Sequence, residues 1–507
     1  MKFSVPVLVV LILSNCLLAQ GESSNNSNIS ADTANKDPHT EKSSLTRQKK
    51  KHQEYVVPEV VYKPPFPPLG NYAVAGVCEP IHDENSTKVI LQNKEKLQAA
   101  LKRLKKINPE GGVIEIPWNT ETIQCDNLRN NRNRAVKQLT LKGIPGPNNE
   151  QPRFYCRSIK RDGTIEKGFG GDFLTSPGEQ DSKLLVENLH IDGYGTAVIM
   201  PQWGMGIVRN SYIHHTMSNA FTVTGIEPED SAKGSKLQFC GNEVSHSGQG
   251  NAHHGWYMHR GVPGKSEIEL TLVDNLVHSM AWSEGFKSTA NKNILINNRF
   301  YKTLETDPSY TQLFGNTLVN VVSCSQNTIK GNTFHIWRPE ETGYASGWML
   351  MVSGRRGIFG CDDPPAYLPQ DGDLQNPIKA QSSFWTQDYW DSLDGRKTLL
   401  TLVENNTFIS EKTSASKHKD VAIRAYGTYP IRRTKQFGPT CLLESPEWWY
   451  ERHQVLAKNN TYINMNKEKI YFSRPANHAA KLCDGPYKYE DRRDFNLIEI
   501  GEGETYQ

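Results

Sequence analysis

Two short segments carry the residues best suited to moving protons and holding anions. The first is His253-His254-Gly255-Trp256-Tyr257-Met258-His259-Arg260, and the second is Glu284-Gly285-Phe286-Lys287-Ser288. Three histidines, a tyrosine and an arginine within one run of eight residues supply groups that titrate near neutrality, a hydroxyl donor and a forked cation. Lys287 serves as a base if burial and neighbouring cations favour its neutral form, and His254 is the other candidate base. Tyr257 is a candidate proton donor to a leaving oxygen. Arg260 can pair with a carboxylate in a bidentate way, with His259 and His253 as further candidates for binding substrate. In an extended segment the side chains alternate faces, so Tyr257 and His259 share one face, and His253 joins them only if Gly255 keeps the strand regular. A structural role competes with each assignment, since a histidine or tyrosine in a β-rich chain is often a stacked or core residue. Closely placed histidines can also bind zinc or copper, but no HExxH pattern is present and no metal ligands follow from the sequence.

A repeat must position these segments. Asn-x-apolar triplets recur as Asn210-Ser211-Tyr212, Asn242-Glu243-Val244, Asn275-Leu276-Val277, Asn298-Arg299-Phe300, Asn332-Thr333-Phe334, Asn406-Thr407-Phe408 and Asn460-Thr461-Tyr462, with Asn188-Leu189-His190-Ile191 as a looser first copy. Subtracting residue numbers gives spacings of 22, 32, 33, 23, 34, 74 and 54. A coil of about 22 residues with loops inserted at one corner produces such values, the last two marking large insertions or missed coils. Asparagine at a coil corner tolerates left-handed backbone, and its amide can bond the coils above and below. Each coil buries its inward side chains only when stacked. The predicted fold is therefore all-β, a right-handed parallel β-helix, in preference to a sandwich with irregular strand spacing. Its first element is a helix over Leu91 to Ile107, ended by Gly111-Gly112, followed by strands at Val113–Pro117 and Leu139–Gly143. His254 and Lys287 each lie 12 residues after a repeat asparagine, Asn242 and Asn275, so equal offsets predict one column on adjacent coils.

A helix, a double glycine and then short strands resemble the N-terminal cap and first coils of pectate-lyase-like β-helices. The His-x-x-Tyr segment with a downstream Gly-x-Lys-Ser segment resembles secreted β-helix proteins related to polysaccharide lyases and uronate epimerases, over about Val113 to His335. The resemblance implies a lyase acting on a uronic-acid polysaccharide, with epimerisation as the second activity. A base takes the C5 proton of the uronate, the carboxylate is neutralised, and the glycosidic oxygen leaves. It implies no obligatory cofactor, and calcium held by carboxylates is the one candidate. Glu243, Asp274 and Glu284 sit at different offsets from their asparagines, so no common calcium site follows. A non-catalytic matrix or carbohydrate-binding protein on the same scaffold is the alternative. A two-carboxylate glycosidase is a third option, but no Asp/Glu pair falls in the His254–Lys287 column. Trp337-Arg338, Arg355-Arg356, Trp385, Trp390 and Trp448-Trp449-Tyr450 either extend a sugar groove or cover an open end of the solenoid.

The whole chain sets the compartment. Residues 1–20 read as a secretory signal peptide, with Lys2 ahead of the apolar run Val5 to Leu18, which at about 14 residues is too short to span a bilayer. Residues 21–55 are poor in large apolar side chains and read as a disordered linker containing the basic run Arg47-Gln48-Lys49-Lys50-Lys51, a candidate processing site. Residues 56–507 then form one β-helix domain with a loop-rich C-terminal part. Beyond Cys16 there are eight cysteines with no CxxC pair, so up to four disulfides are expected, with 105 complete pairings open. Sequons at Asn25, Asn28, Asn85, Asn405 and Asn459 suit a secreted glycoprotein. A net charge of +3 is too mild a bias to point to nucleic acid, which usually meets a concentrated basic face, and membrane insertion is not expected. The expected partner is an extracellular acidic polysaccharide.

Overall fold

The computed structural model describes residues 72–131, 135–156, 171–176, 181–201, 204–223, 234–248, 254–258, 268–280, 284–301, 317–322, 325–337, 347–353, 401–411, 420–426, 431–434, 438–441, 455–467, 470–474 and 498–507. Among them, strands form three long parallel sheets of twelve, ten and ten strands, plus one two-stranded hairpin, Ile431–Thr434 with Gly438–Cys441. The chain visits the sheets in rotation. One coil runs from Ser235–Cys240 in the first sheet through Glu243–Ser245 in the second to Trp256–Met258 in the third, and Ile268–Val273 opens the next coil. Register carries through, with Cys240 beside Val273, Glu243 beside Leu276 and Trp256 beside Phe286. This is a parallel β-helix.

The sequence pattern explains the coil. In the short strands the middle residue points out and its neighbours point in, or the reverse. Trp256 and Met258 are buried around the outward Tyr257, and Phe286 and Ser288 around the outward Lys287. In the second sheet the inward column is aromatic: Phe300, Phe334, Phe408, Tyr462 and Tyr506 stack with ring centres 4.8–5.4 Å apart. These rings, Tyr506 apart, are the apolar members of the Asn-x-apolar triplets.

The asparagines form the expected ladder. Oδ1 of Asn275, Asn298, Asn332, Asn406 and Asn460 each accepts from both the backbone N–H and the side-chain amide of the preceding ladder asparagine. Contacts at separations of 74 and 54 residues show that the long spacings are single coils with large insertions, not missed coils. Two details differ from expectation. The left-handed residue at each corner is the one before the ladder asparagine, namely Gly241, Asp274, Asn297, Gly331, Asn405 and Asn459. Asn188 and Asn210 fill this left-handed position themselves, so the ladder begins at Asn242, whose Oδ1 accepts from Ser211 N. Asparagine is tolerated in both positions for different reasons, which is why a triplet search could not separate them. At the far end Glu504 replaces the asparagine and accepts from Asn460 Nδ2 at 3.0 Å.

The N-terminal end is closed by the α-helix Leu97–Ile107, with Leu97, Ala100, Leu101 and Leu104 buried. It starts later than expected because Leu91 still belongs to the coil, its N–H bonding Glu115 O, and Lys94 takes a left-handed turn before the helix. Gly111 and Gly112 open the strand Gly111–Pro117 instead of only ending the helix. A Cβ on Gly111 would lie 1.7 Å from Gln138 O, so the first coils can stack only on glycine there.

A strap of residues 72–82 crosses the outer face of the first sheet. Tyr72, Val74, Val77 and Ile81 pack with Leu185, Ile207 and Val273, and the Cys78–Cys240 disulfide pins the strap. Ala73 N–H donates to Asp274, Cys78 N–H to Gln238, and His82 bonds Thr140. Under the strap, Arg209 bonds both Glu187 and Cys78 O in a buried ion pair. A second disulfide joins Cys125 to Cys156. Cys324, Cys361 and Cys483 lie outside the described residues, as do the signal peptide, the linker and residues Arg338, Arg355, Arg356, Trp385, Trp390, Trp448, Trp449 and Tyr450. No described helix is long and apolar enough to cross a membrane. The sequon residues Asn85, Asn405 and Asn459 are exposed.

Candidate functional site

The site is built on the outer side of the third sheet and on the residues entering its strands. Tyr257, Lys287 and Asn320 form one column of the sheet, since Tyr257 pairs with Lys287 and Lys287 with Asn320. One step earlier along each strand the inward Trp256 and Phe286 anchor the column in the core. Before them lies Gly255, whose Cβ would sit 2.4 Å from Gly285 O, so the two backbones approach too closely for any side chain. His254 and Glu284 precede these glycines on adjacent coils.

The expected column of His254 with Lys287 is thus corrected. Lys287 shares its column with Tyr257, because the corner before His254 holds three more residues than the corner before Lys287, whose offset of 12 from Asn275 matches that of His254 only by coincidence. The two side chains nevertheless meet, Lys287 Nζ lying 3.2 Å from His254 Nε2. Opposite, His254 Nδ1 lies 2.8 Å from Glu284 Oε2. Glu284 also receives Asn320 Nδ2 on Oε1 at 3.1 Å, and its Oε2 is 3.9 Å from Lys287 Nζ. The Tyr257 ring stacks on His254 with centres 5.2 Å apart, and Lys287 Nζ stands 5.5 Å from the Tyr257 ring centre. His254 is fixed from behind as well, its backbone N–H donating to Asn219 Oδ1 at 2.8 Å.

Burial and charge divide the roles. His254 is buried, whereas Tyr257, Glu284 and Lys287 are partly exposed. Burial pushes the Glu284 carboxyl up, but the hydrogen bond and charge of His254, with Lys287 and Asn320, outweigh it and hold the group well below the ordinary carboxylate range. A carboxylate, an imidazole and an amine in line can orient the imidazole and pass a proton along the row. Each Glu284 oxygen has a partner, His254 on Oε2 and Asn320 on Oε1.

His253, His259 and Arg260 lie outside the described residues. Glu243 and Asp274 are not neighbours of Glu284 in a cation site: Glu243 bonds His278 Nε2, and Asp274 bonds Ala73 N and Asn297. The role of Glu284, and the supporting Asn219 and Asn320, escaped the sequence reading. One signal could have found Glu284. Aligning His254-Gly255-Trp256-Tyr257 with Glu284-Gly285-Phe286-Lys287 on the Gly-aromatic step, instead of on the asparagines, gives the observed register.

No family model matches the chain, and no curated protein matches it. Among solved structures it is similar to the catalytic domain of Agl-KA, at 10% identity and a TM-score of 0.34, over 85% of this chain and 70% of that one. It is also similar to the catalytic domain of a GH87 alpha-1,3-glucanase in complex with nigerose, at 11% identity and a TM-score of 0.32, over 85% and 71%. The catalytic unit of a thermostable GH87 alpha-1,3-glucanase from Streptomyces thermodiastaticus matches at 11% identity and the same score, over 85% and 70%. At such scores the likeness bears on neither substrate nor mechanism, and the parallel β-helix stands on the chain's own sheet topology.

Proposed function

We propose that the protein is an extracellular carbohydrate-active enzyme, a lyase acting on a polysaccharide that contains uronic acid, with Lys287 and His254 at its centre. The observation that supports this is the row Glu284–His254–Lys287, in which one imidazole touches a carboxylate at 2.8 Å and an amine at 3.2 Å. In the proposed reaction Lys287 first gives a proton to His254, whose imidazolium Glu284 balances, and the neutral Nζ then takes the C5 proton of the uronate. The electron pair forms the C4–C5 double bond, the bond from C4 to the glycosidic oxygen breaks, and that oxygen takes a proton from the Tyr257 hydroxyl. The imidazolium proton then returns through solvent to the Tyr257 phenolate, which closes the cycle. Arg260, His253 and His259 would neutralise the substrate carboxylate. Two-carboxylate hydrolysis fits less well, because Glu284 is engaged by His254 and Asn320 and no second carboxylate joins it among the described residues.

The test is incubation of the purified full chain with a panel of uronate polymers and neutral glucans. A lyase gives ultraviolet absorbance from unsaturated ends on the former. New reducing ends without that absorbance would overturn the elimination in favour of hydrolysis, and binding with no product would favour a carbohydrate-binding protein. Lys287→Ala and His254→Ala should each abolish the absorbance, the pair together being no worse than the poorer single variant.

A further inference from the structure

A second cluster stands on the outer face of a different sheet. In the second sheet Ile191 and Ile213 point into the core, which sends His190 and Asp192, and in the next coil Tyr212 and His214, outward. Outward side chains of a solenoid are ordinarily solvated, yet Asp192 is 1% exposed and His214 6%. His190 and His214 are diagonal neighbours whose Nε2 atoms lie 2.6 Å apart. The Tyr212 ring stacks on the His214 imidazole with centres 4.3 Å apart and packs at a tilt against His190, 4.9 Å away. One oxygen of Asp192 is held by Arg153 at 2.6 Å, and the other faces His214 Nδ1 at 3.4 Å.

We propose that His190, Asp192 and His214 form a binding site for a divalent transition metal ion, zinc by preference, separate from the Glu284–His254–Lys287 row. One ligand atom from each of the three lies within 4.8 Å of the others. Opening the two Nε2 atoms from 2.6 Å to about 3.3 Å gives the separation that two bonds of about 2.0 Å require at a tetrahedral centre. The surroundings supply the outer contacts such a site needs. With a metal bound, the His214 tautomer that carries its proton on Nδ1 can donate to His215 Nδ1, 2.6 Å away, which leaves Nε2 to face the metal. Arg153 orients the carboxylate in the same way. Two imidazoles with one carboxylate favour zinc or copper over calcium or magnesium, which prefer all-oxygen shells. Three protein ligands leave a fourth position for water or a ligand atom.

Untagged full-length protein, stripped with chelator, should take up about one equivalent of Zn2+ in a calorimetric titration. Co2+ at the same site should give the visible bands of a four- or five-coordinate ion. His190→Gln, at the partly exposed ligand, should weaken zinc binding at least about tenfold and remove the cobalt bands. His214→Gln should do the same, near-ultraviolet dichroism reporting whether that buried variant is folded. His254→Gln should leave both signals in place. The absence of saturable zinc binding, or binding that survives His190→Gln and is lost in His254→Gln, would overturn the site and leave the three imidazoles as a hydrogen-bonded chain.

Discussion

Glu284 is the pivot of the candidate site because its two oxygens serve different partners, His254 on one and Asn320 on the other. Glu284→Gln keeps the shape but replaces one acceptor by a donor and removes the charge opposite the imidazole. Activity should fall about a hundredfold to ten-thousandfold, the usual worth of acid–base assistance, with KM little changed. The same residue fixes a pH effect. Its folded carboxyl titrates below the ordinary range, so its contribution to stability is complete above the unfolded value and is lost as pH falls toward the folded one. Acid titrations followed by fluorescence should therefore show a shallower loss of stability below about pH 4.5 in Glu284→Gln than in the parent, which starts higher at neutral pH. At this scale the sequence was informative about residue types and misleading about register. His254 and Lys287 were legible as a pair, but the count from the asparagines ignored the longer corner that precedes His254.

The asparagine ladder is the element that makes the register countable at all. Asn298 shows what each member does: its Oδ1 accepts from Asn275 twice, and its Nδ2 donates to Leu272 O and Asn332 Oδ1. It is fully buried, so Asn298→Ala leaves several groups in adjacent coils without partners and should cost about 2–4 kcal/mol, read as a lower midpoint in thermal or denaturant unfolding. Phe334→Ala, which interrupts the stacked column, should cost about 3–5 kcal/mol by the same measurement. Repeat, inward aromatics and capping helix were all legible, because stacking forces one residue type into one position coil after coil. The long insertions were not. A loop leaving the corner carries no periodic constraint, so spacings of 74 and 54 could equally have hidden whole coils. The left-handed corner was also ambiguous, because asparagine and glycine both satisfy it and asparagine also serves the ladder.

Over the whole molecule the described secondary structure is three parallel sheets and one short hairpin with the one helix Leu97–Ile107, and far-ultraviolet dichroism should accordingly be β-dominated. A helix-rich spectrum would contradict the solenoid. The secreted reading expected disulfides without saying which, and the Cys78–Cys240 bridge closes a separation of 162 residues. Replacing both cysteines by alanine should cost about 2–5 kcal/mol, measured as a lower melting temperature under non-reducing conditions that reduction of the parent reproduces in part. That bridge also decides how the molecule answers to force. The strap runs back across the first sheet from Asp274 to Thr140, so a pull on the chain ahead of Tyr72 does not reach the capping helix first. Tension enters through Cys78 into the strand Ser235–Cys240 in the interior of the stack, and the terminal coils behind it stay unloaded. Stretched from that end, the intact protein should resist as a shear joint; with the disulfide reduced, it should peel coil by coil from the helix at far lower force.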